Sequence, residues 1–183
     1  MADKTDAQLD STAGSLRCRR QLPEDETFLW EVYASTRQQE LDLTDWGPEQ
    51  RKVFLDSQFN AMRISYARQF PRGEFSVIML GAQRVGLIVV DRGENELRLV
   101  DIALLPEFRG RGIGTFFLKE LVSESALAQK PLRLHVLTGS RPRRLYARLG
   151  FVKIEENGPY EHLEWRPQAP GRNPPGSAAR PGD

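Results

Sequence analysis

Leu99-Val100-Asp101-Ile102-Ala103-Leu104-Leu105-Pro106 leads through Glu107-Phe108 into Arg109-Gly110-Arg111-Gly112-Ile113-Gly114-Thr115. The first half continues a largely apolar run from Leu97, which predicts a strand central to a sheet. Pro106 starts a short turn. The second half opens a helix predicted from about Gly112 to Ala128. The first amides of a helix have no internal partner, and the helix dipole places partial positive charge there. Glycines carry no side chain, so an anion can approach those amides closely. Arg109 and Arg111 add positive charge at the rim. The construction is a pyrophosphate cradle, set against the plainer reading of a glycine-rich helix start with no ligand.

The glycine spacing excludes two common nucleotide motifs. A Walker loop needs Gly-Lys followed by Ser or Thr, and the chain has none. A dinucleotide fingerprint needs a third glycine three positions after the second. Here Gly110, Gly112 and Gly114 alternate, and they sit in the middle of the chain rather than at a first strand-to-helix turn.

Outward from this stretch the pattern is regular. Leu16–Gln21 reads as a strand. A helix comes after Pro23, with Glu24, Asp25 and Glu26 in a first turn that favours negative charge and Phe28, Leu29, Val32 and Tyr33 as its apolar stripe. A second helix starts near Pro48, carries Leu55, Phe59, Met62 and Tyr66, and ends by Phe70. Phe75–Leu80 and Val85–Val90 form a hairpin leading to the central strand. After the glycine-opened helix come a strand at Leu132–Leu137, a short helix at Arg141–Leu149 capped by Gly150, and strands at Phe151–Glu155 and His162–Trp165. This order predicts an α/β chain of the α+β kind, with a mixed, mostly antiparallel sheet flanked by helices.

Residues 1–14 are small and polar, and 167–183 are rich in Pro, Gly and Ala. Both read as disordered segments, since neither buries enough apolar surface to offset its ordering entropy. One domain at 15–166 remains. Lys plus Arg is 26 and Asp plus Glu 25, a net charge of +1, which argues against a nucleic-acid partner. No run approaches the roughly 18 apolar residues of a membrane span. The polar N-terminus argues against secretion, and the single Cys18 suits the reducing cytoplasm. Two His and one Cys predict no metal site.

Arg-x-x-Gly-x-Gly at 109–114 after the strand at 99–106 resembles the acetyl-CoA motif of the GNAT (GCN5-related N-acetyltransferase) superfamily. Leu145-Tyr146-Ala147-Arg148-Leu149-Gly150-Phe151 is similar to the helix–strand signature after the fifth strand of these enzymes. The order of elements matches over 16–166. The resemblance implies the GNAT fold, acetyl-CoA as acyl donor without a metal, and direct acetyl transfer to an amine. It implies that the backbone of Ile102, Ala103 and Leu104 pairs with the pantetheine arm like an added strand. It assigns Arg109, Gly110, Arg111, Gly112, Ile113, Gly114 and Thr115 to the cofactor, with the amides from Gly110 onward on the pyrophosphate. It implies that the central strand splays from Leu132–Leu137, with the thioester in the gap. Tyr146 falls on the tyrosine that protonates the departing thiolate. One position departs from the pattern. Gly139 stands where Asn is frequent, seven residues before the tyrosine, which predicts a lost side-chain contact that Thr138 or Ser140 could replace.

The acceptor amine must lose a proton before attack. Asp101, an acid inside an apolar run, is the candidate base; Glu96 and His135 are alternatives. Arg141, Arg143, Arg144 and Arg148 are read either as contacts to the 3′-phosphate of CoA or as a solvated basic face. Glu40, Asp42 and Asp45 near Trp46 suggest a cationic amine, set against a solvated helix end. Cys18 is read as a small apolar filler. The expected partners are acetyl-CoA and an amine acceptor, small molecule, peptide or protein, with the chain a monomer or homodimer. The alternative is a non-catalytic CoA-binding regulatory module.

Overall fold

The computed structural model describes residues 15–168; the segments read as tails lie outside them, apart from Pro167 and Gln168. In chain order the strands are β1 (Leu16–Arg20), β2 (Gly73–Leu80), β3 (Gln83–Arg92), β4 (Leu97–Leu104), β5 (Leu132–Leu137), β6 (Val152–Asn157) and β7 (Tyr160–Trp165). The helices are α1 (Glu26–Leu41), α2 (Pro48–Gln69), α3 (Ile113–Ala128) and α4 (Pro142–Arg148). Short 3₁₀ turns at Pro23–Asp25 and Pro106–Phe108 precede α1 and α3.

The strands form one seven-stranded sheet in the order β1-β2-β3-β4-β5-β7-β6. Among the described residues only β4 and β5 run parallel. Side chains alternate between its faces. Val77, Met79, Leu87 and Val89 point at Phe28, Leu29, Val32 and Tyr33 of α1 and Leu55 and Phe59 of α2. Ile78, Ile88, Val90, Leu97, Leu99 and Leu134 point the other way, at Phe117, Leu118 and Leu121 of α3 and Tyr146 of α4. The central strands are therefore covered on both faces, which explains their nearly continuous apolar sequence. Each buried Leu on α3 contributes about 1.5–3 kcal/mol. That packing holds α3 in place although no side chain caps its N-terminus.

The strands and helices match the sequence reading to within a few residues, with two local corrections. Glu24, Asp25 and Glu26 lie in first turns as expected, but Asp25 is not an ordinary dipole partner of α1. Asp25 is fully buried and accepts from Arg19 at 2.6 and 2.7 Å, from the Leu22 amide at 2.9 Å and from Arg84 at 3.3 Å. A buried carboxylate needs such partners, and two arginines from different strands supply them. Cys18, read as a filler, is exposed on β1, the edge strand. Among the described residues no helix is long and apolar enough to cross a membrane.

Candidate active site

β4 and β5 pair over three residues only, Leu97–Leu99 with Leu132–Leu134. Beyond that, β5 keeps pairing with β7 as far as Leu137 opposite Tyr160, while β4 stays with β3. The two parallel strands thus part in the middle of the sheet. Opposite β3 the register shifts, with Val90 facing Leu99 and Val89 facing Asp101, so Val100 is the extra residue of a bulge in β4. A bulge re-aims the side chains beyond it. It turns Asp101 and Ala103 toward α1 and α2, and Ile102 and Leu104 toward α3. From Val100 to Leu104 the β4 edge facing the gap pairs with no strand among the described residues.

Just past this edge lies the start of α3. The first amide to close a turn is that of Phe116, onto the Gly112 carbonyl at 2.9 Å. The amides of Gly110 to Thr115 donate to no other backbone group among the described residues. Gly112, the N-cap, has φ +82°, a left-handed conformation that side chains disfavour. A Cβ built on Gly110 or Gly114 would meet no protein atom within 4 Å. The space above these amides is open, so the residues present fit a pyrophosphate.

The arginines of the motif hold the loop. Arg109 donates to the Leu104 carbonyl at 2.8 Å, to Ser35 Oγ at 2.8 Å and to the Ser35 carbonyl at 3.3 Å, fastening the loop to α1. Arg111 lies over the Phe108 ring at 5.4 Å. Their charge remains beside the cradle while their side chains are engaged by the protein.

Asp101 is half-buried on β4. Burial pushes its carboxyl up to about 6, against the opposing pull of the Ile102 amide, the Tyr66 hydroxyl and the Arg37 charge. Tyr66 Oη donates to Asp101 Oδ2 at a long 3.5 Å. Tyr146 is buried on α4 with its ring against Phe151 at 5.7 Å. Burial, and then the negative charge of Asp101, push its phenol up to about 12. A phenol so shifted stays protonated at neutral pH and can donate. The charge of Asp101 thus bears on the Tyr146 phenol.

The other candidates are engaged elsewhere. Glu96 is paired with Arg98 at 2.7 Å and Arg133 at 2.6 Å. His135 stacks on His162 with centroids 3.8 Å apart and lies 3.1 Å from an Arg98 nitrogen. Burial, His162 and Arg98 lower its pKa. Of the arginines around α4, Arg143 is paired with Glu161 at 2.8 Å. Gly139 has φ +74°, in the turn where Ser140 Oγ is buried without a hydrogen-bond partner. Two of the three acids expected to draw a cation are occupied: Glu40 pairs with Arg37 at 3.1 Å, and Asp42 with Arg51 at 3.2 Å and Gln38 at 2.8 Å, while Asp45 forms no ion pair among the described residues. Among the described residues no cluster of three or more His, Cys, Asp or Glu is placed to hold a metal.

Sequence reasoning missed two residues here. By spacing, Tyr66 belongs to the apolar stripe of α2, and only its partner across the fold marks it as more. Arg37 gives no signal beyond its place near the first helix end.

A mixed sheet that opens between its parallel strands, beside a glycine-started helix, defines the acetyltransferase fold of the GNAT type. The family model described as "Acetyltransferase (GNAT) domain" matches residues 71–153, from before β2 into β6. The fold is similar to that of the PaiA N-acetyltransferase of Thermoplasma acidophilum in complex with coenzyme A, at 20% identity and TM-score 0.62, covering 83% of this chain and 99% of that one. It is also similar to the ribosomal-protein-S18-alanine N-acetyltransferase of Escherichia coli, at 16% identity and TM-score 0.55, covering 87% and 98%. Ard1 of Thermoplasma volcanium aligns at 22% identity and TM-score 0.53, over 82% and 96%. No curated protein matches the chain in sequence.

Proposed function

We propose that this protein is an acetyl-CoA-dependent N-acetyltransferase that passes the acetyl group directly to a primary amine. One observation carries the reading: the gap between β4 and β5 opens beside a set of unpartnered amides at the start of α3. The coenzyme A complex of the PaiA relative supports CoA as the group that these amides hold. Bound there, acetyl-CoA supplies an activated acyl group as a thioester.

The chain's own residues do the rest. The amides of Gly110 to Thr115 hold the pyrophosphate, and the free β4 edge at Ile102–Leu104 holds the pantetheine. Asp101 takes the proton of the acceptor ammonium, a task that suits a base near neutrality. Tyr146 gives its proton to the departing thiolate. The single cysteine supports a reducing compartment such as the cytoplasm.

Two measurements test this. CoA and acetyl-CoA are expected to raise the melting temperature, and acetyl-CoA with an amine panel is expected to release free CoA thiol. Absence of any shift with either ligand would overturn cofactor binding. A shift without thiol release for any amine would favour the non-catalytic CoA-binding module.

A further inference from the structure

We propose that the acceptor carries a carboxylate beside its amine, and that Arg37 binds this carboxylate. The inference rests on the N-acetyltransferase reading and narrows its substrate class to amino-acid-like acceptors.

Arg37 stands on α1, two residues beyond Ser35, which Arg109 ties to the cofactor loop. That tie fixes this part of α1 relative to the cradle. Its guanidinium lies over the Tyr33 ring at 5.4 Å. Tyr33 is itself buried and packed on Phe59 at 5.5 Å, so the platform is rigid. A guanidinium has five N–H donors in a fixed fork. Here one nitrogen, Nη1, meets the Glu40 carboxylate at 3.1 and 3.3 Å. Nε is buried and has no hydrogen-bond partner among the described residues. A buried donor without a partner is costly, so an orphaned one calls for a ligand. Glu40 does not saturate the group. Its side chain is 63% exposed, and exposed ion pairs are weak and exchangeable.

The position relative to the chemistry favours the same reading. The charge of Arg37 is felt by both Asp101 and Tyr66. Glu40 and Asp42 are already paired, so neither is free to draw a second cation. A diamine would set its distal ammonium in the field of an arginine. An amino acid would set its carboxylate there instead, where a fork can hold both oxygens. The step balances: the ammonium proton passes to the Asp101 carboxylate, the N–C bond forms as the C–S bond breaks, the thiolate takes the Tyr146 proton, and the second proton of the attacking nitrogen passes to the resulting tyrosinate as the amide forms.

The test compares matched acceptors, amino acids against the same amines lacking the carboxylate, by kcat/KM from thiol release. Wild-type protein is expected to favour the carboxylate-bearing member at least tenfold. Arg37→Gln is expected to cut its kcat/KM at least tenfold while leaving the plain amine within about twofold and the Kd for CoA unchanged. Arg37→Lys, which keeps the charge but loses the fork, is expected to restore part of the preference. A wild-type ratio near one, or an Arg37→Gln loss equal for both members, would overturn the proposal while leaving N-acetyl transfer intact. If no amine of either kind is acetylated, the N-acetyltransferase reading fails, and this inference with it.

Discussion

Asp101→Asn is expected to act with opposite signs on activity and stability. Burial holds the Asp101 carboxyl at about 6 in the folded protein, whereas in the unfolded chain it lies near 3.9. Between about pH 4 and 6 the unfolded chain ionises while the folded one still holds its proton. Stability contributed by this group therefore falls as pH rises through that window, and at pH 7 the whole cost is in place. A difference of roughly two units at 1.36 kcal/mol each is about 3 kcal/mol. Asn has the same shape without the charge and escapes that cost. It also gives up part of what the ion gains from Tyr66 and the Ile102 amide, so the net gain at pH 7 is about 1–3 kcal/mol. For a domain of this size each kcal/mol raises Tm by about 2–4 °C. The gain is expected to be mostly gone by pH 4, where wild-type Asp101 is protonated in the folded protein and about half protonated in the unfolded chain. Activity moves the other way. Losing a general base costs about 10²–10⁴ in rate. The wild-type kcat/KM is expected to fall tenfold per pH unit below about 6, and the variant is expected to lack that limb. Thermal melts from pH 4 to 8 and thiol-release rates over the same range measure both effects. A variant less stable than wild type at pH 7, or one that keeps its activity, would refute the reasoning.

Three further outcomes are expected. Tyr146→Phe removes the proton that burial keeps on the phenol and lowers kcat by about 10²-fold with the Kd for CoA unchanged in calorimetry; an unaltered kcat would remove Tyr146 from the mechanism. Gly112→Val forces a branched side chain into the left-handed conformation, at about 1–2 kcal/mol, and fills the cradle. Its Tm should drop by several degrees and its CoA-induced shift disappear; a retained shift would put the cofactor elsewhere. Asp25→Asn breaks a buried pair, which costs about 3–5 kcal/mol. The partly exposed arginines, 29% and 42%, put the expected loss in urea unfolding at the low end. Hydrogen bonds from Arg19, which outweigh the cost of burial, hold the Asp25 carboxyl well below the usual range. The stability it gives is therefore present at neutral pH and lost as pH falls below about 4. Asp25→Asn should flatten that acid-side loss, and a loss at pH 7 under about 1 kcal/mol would contradict the assignment.

The parts of this fold legible in the sequence are those with local causes. Pro48 and Gly47 set the start of α2, and Gly150 closes α4, because proline at the first helical position and glycine just past a helix end act through their own backbone. The period-two and near-3.6 patterns place the strands and helices within a few residues. The cradle is legible for the same reason: amides at a helix start are free wherever glycines open it. The base is less so. Asp101 stands out as an acid in an apolar run, but Glu96 and His135 look comparable until the fold shows Arg98 and Arg133 occupying them. Asp25 resembles an ordinary first-turn acid because Arg84, one of its partners, lies 59 residues away.

The sequence by itself determined the elements and the glycine loop, because each arises from neighbouring residues. Tertiary structure alone decided three things. Tyr66 reaches Asp101 from 35 residues away. Arg109 spends its side chain on Ser35, 74 residues away, rather than on the rim. Arg37 keeps a buried donor without a partner beside the acids that were expected to draw a cation. The physical reason is common to all three. Burial and pairing fix a charged or polar group's chemistry, and both depend on residues that only folding brings together.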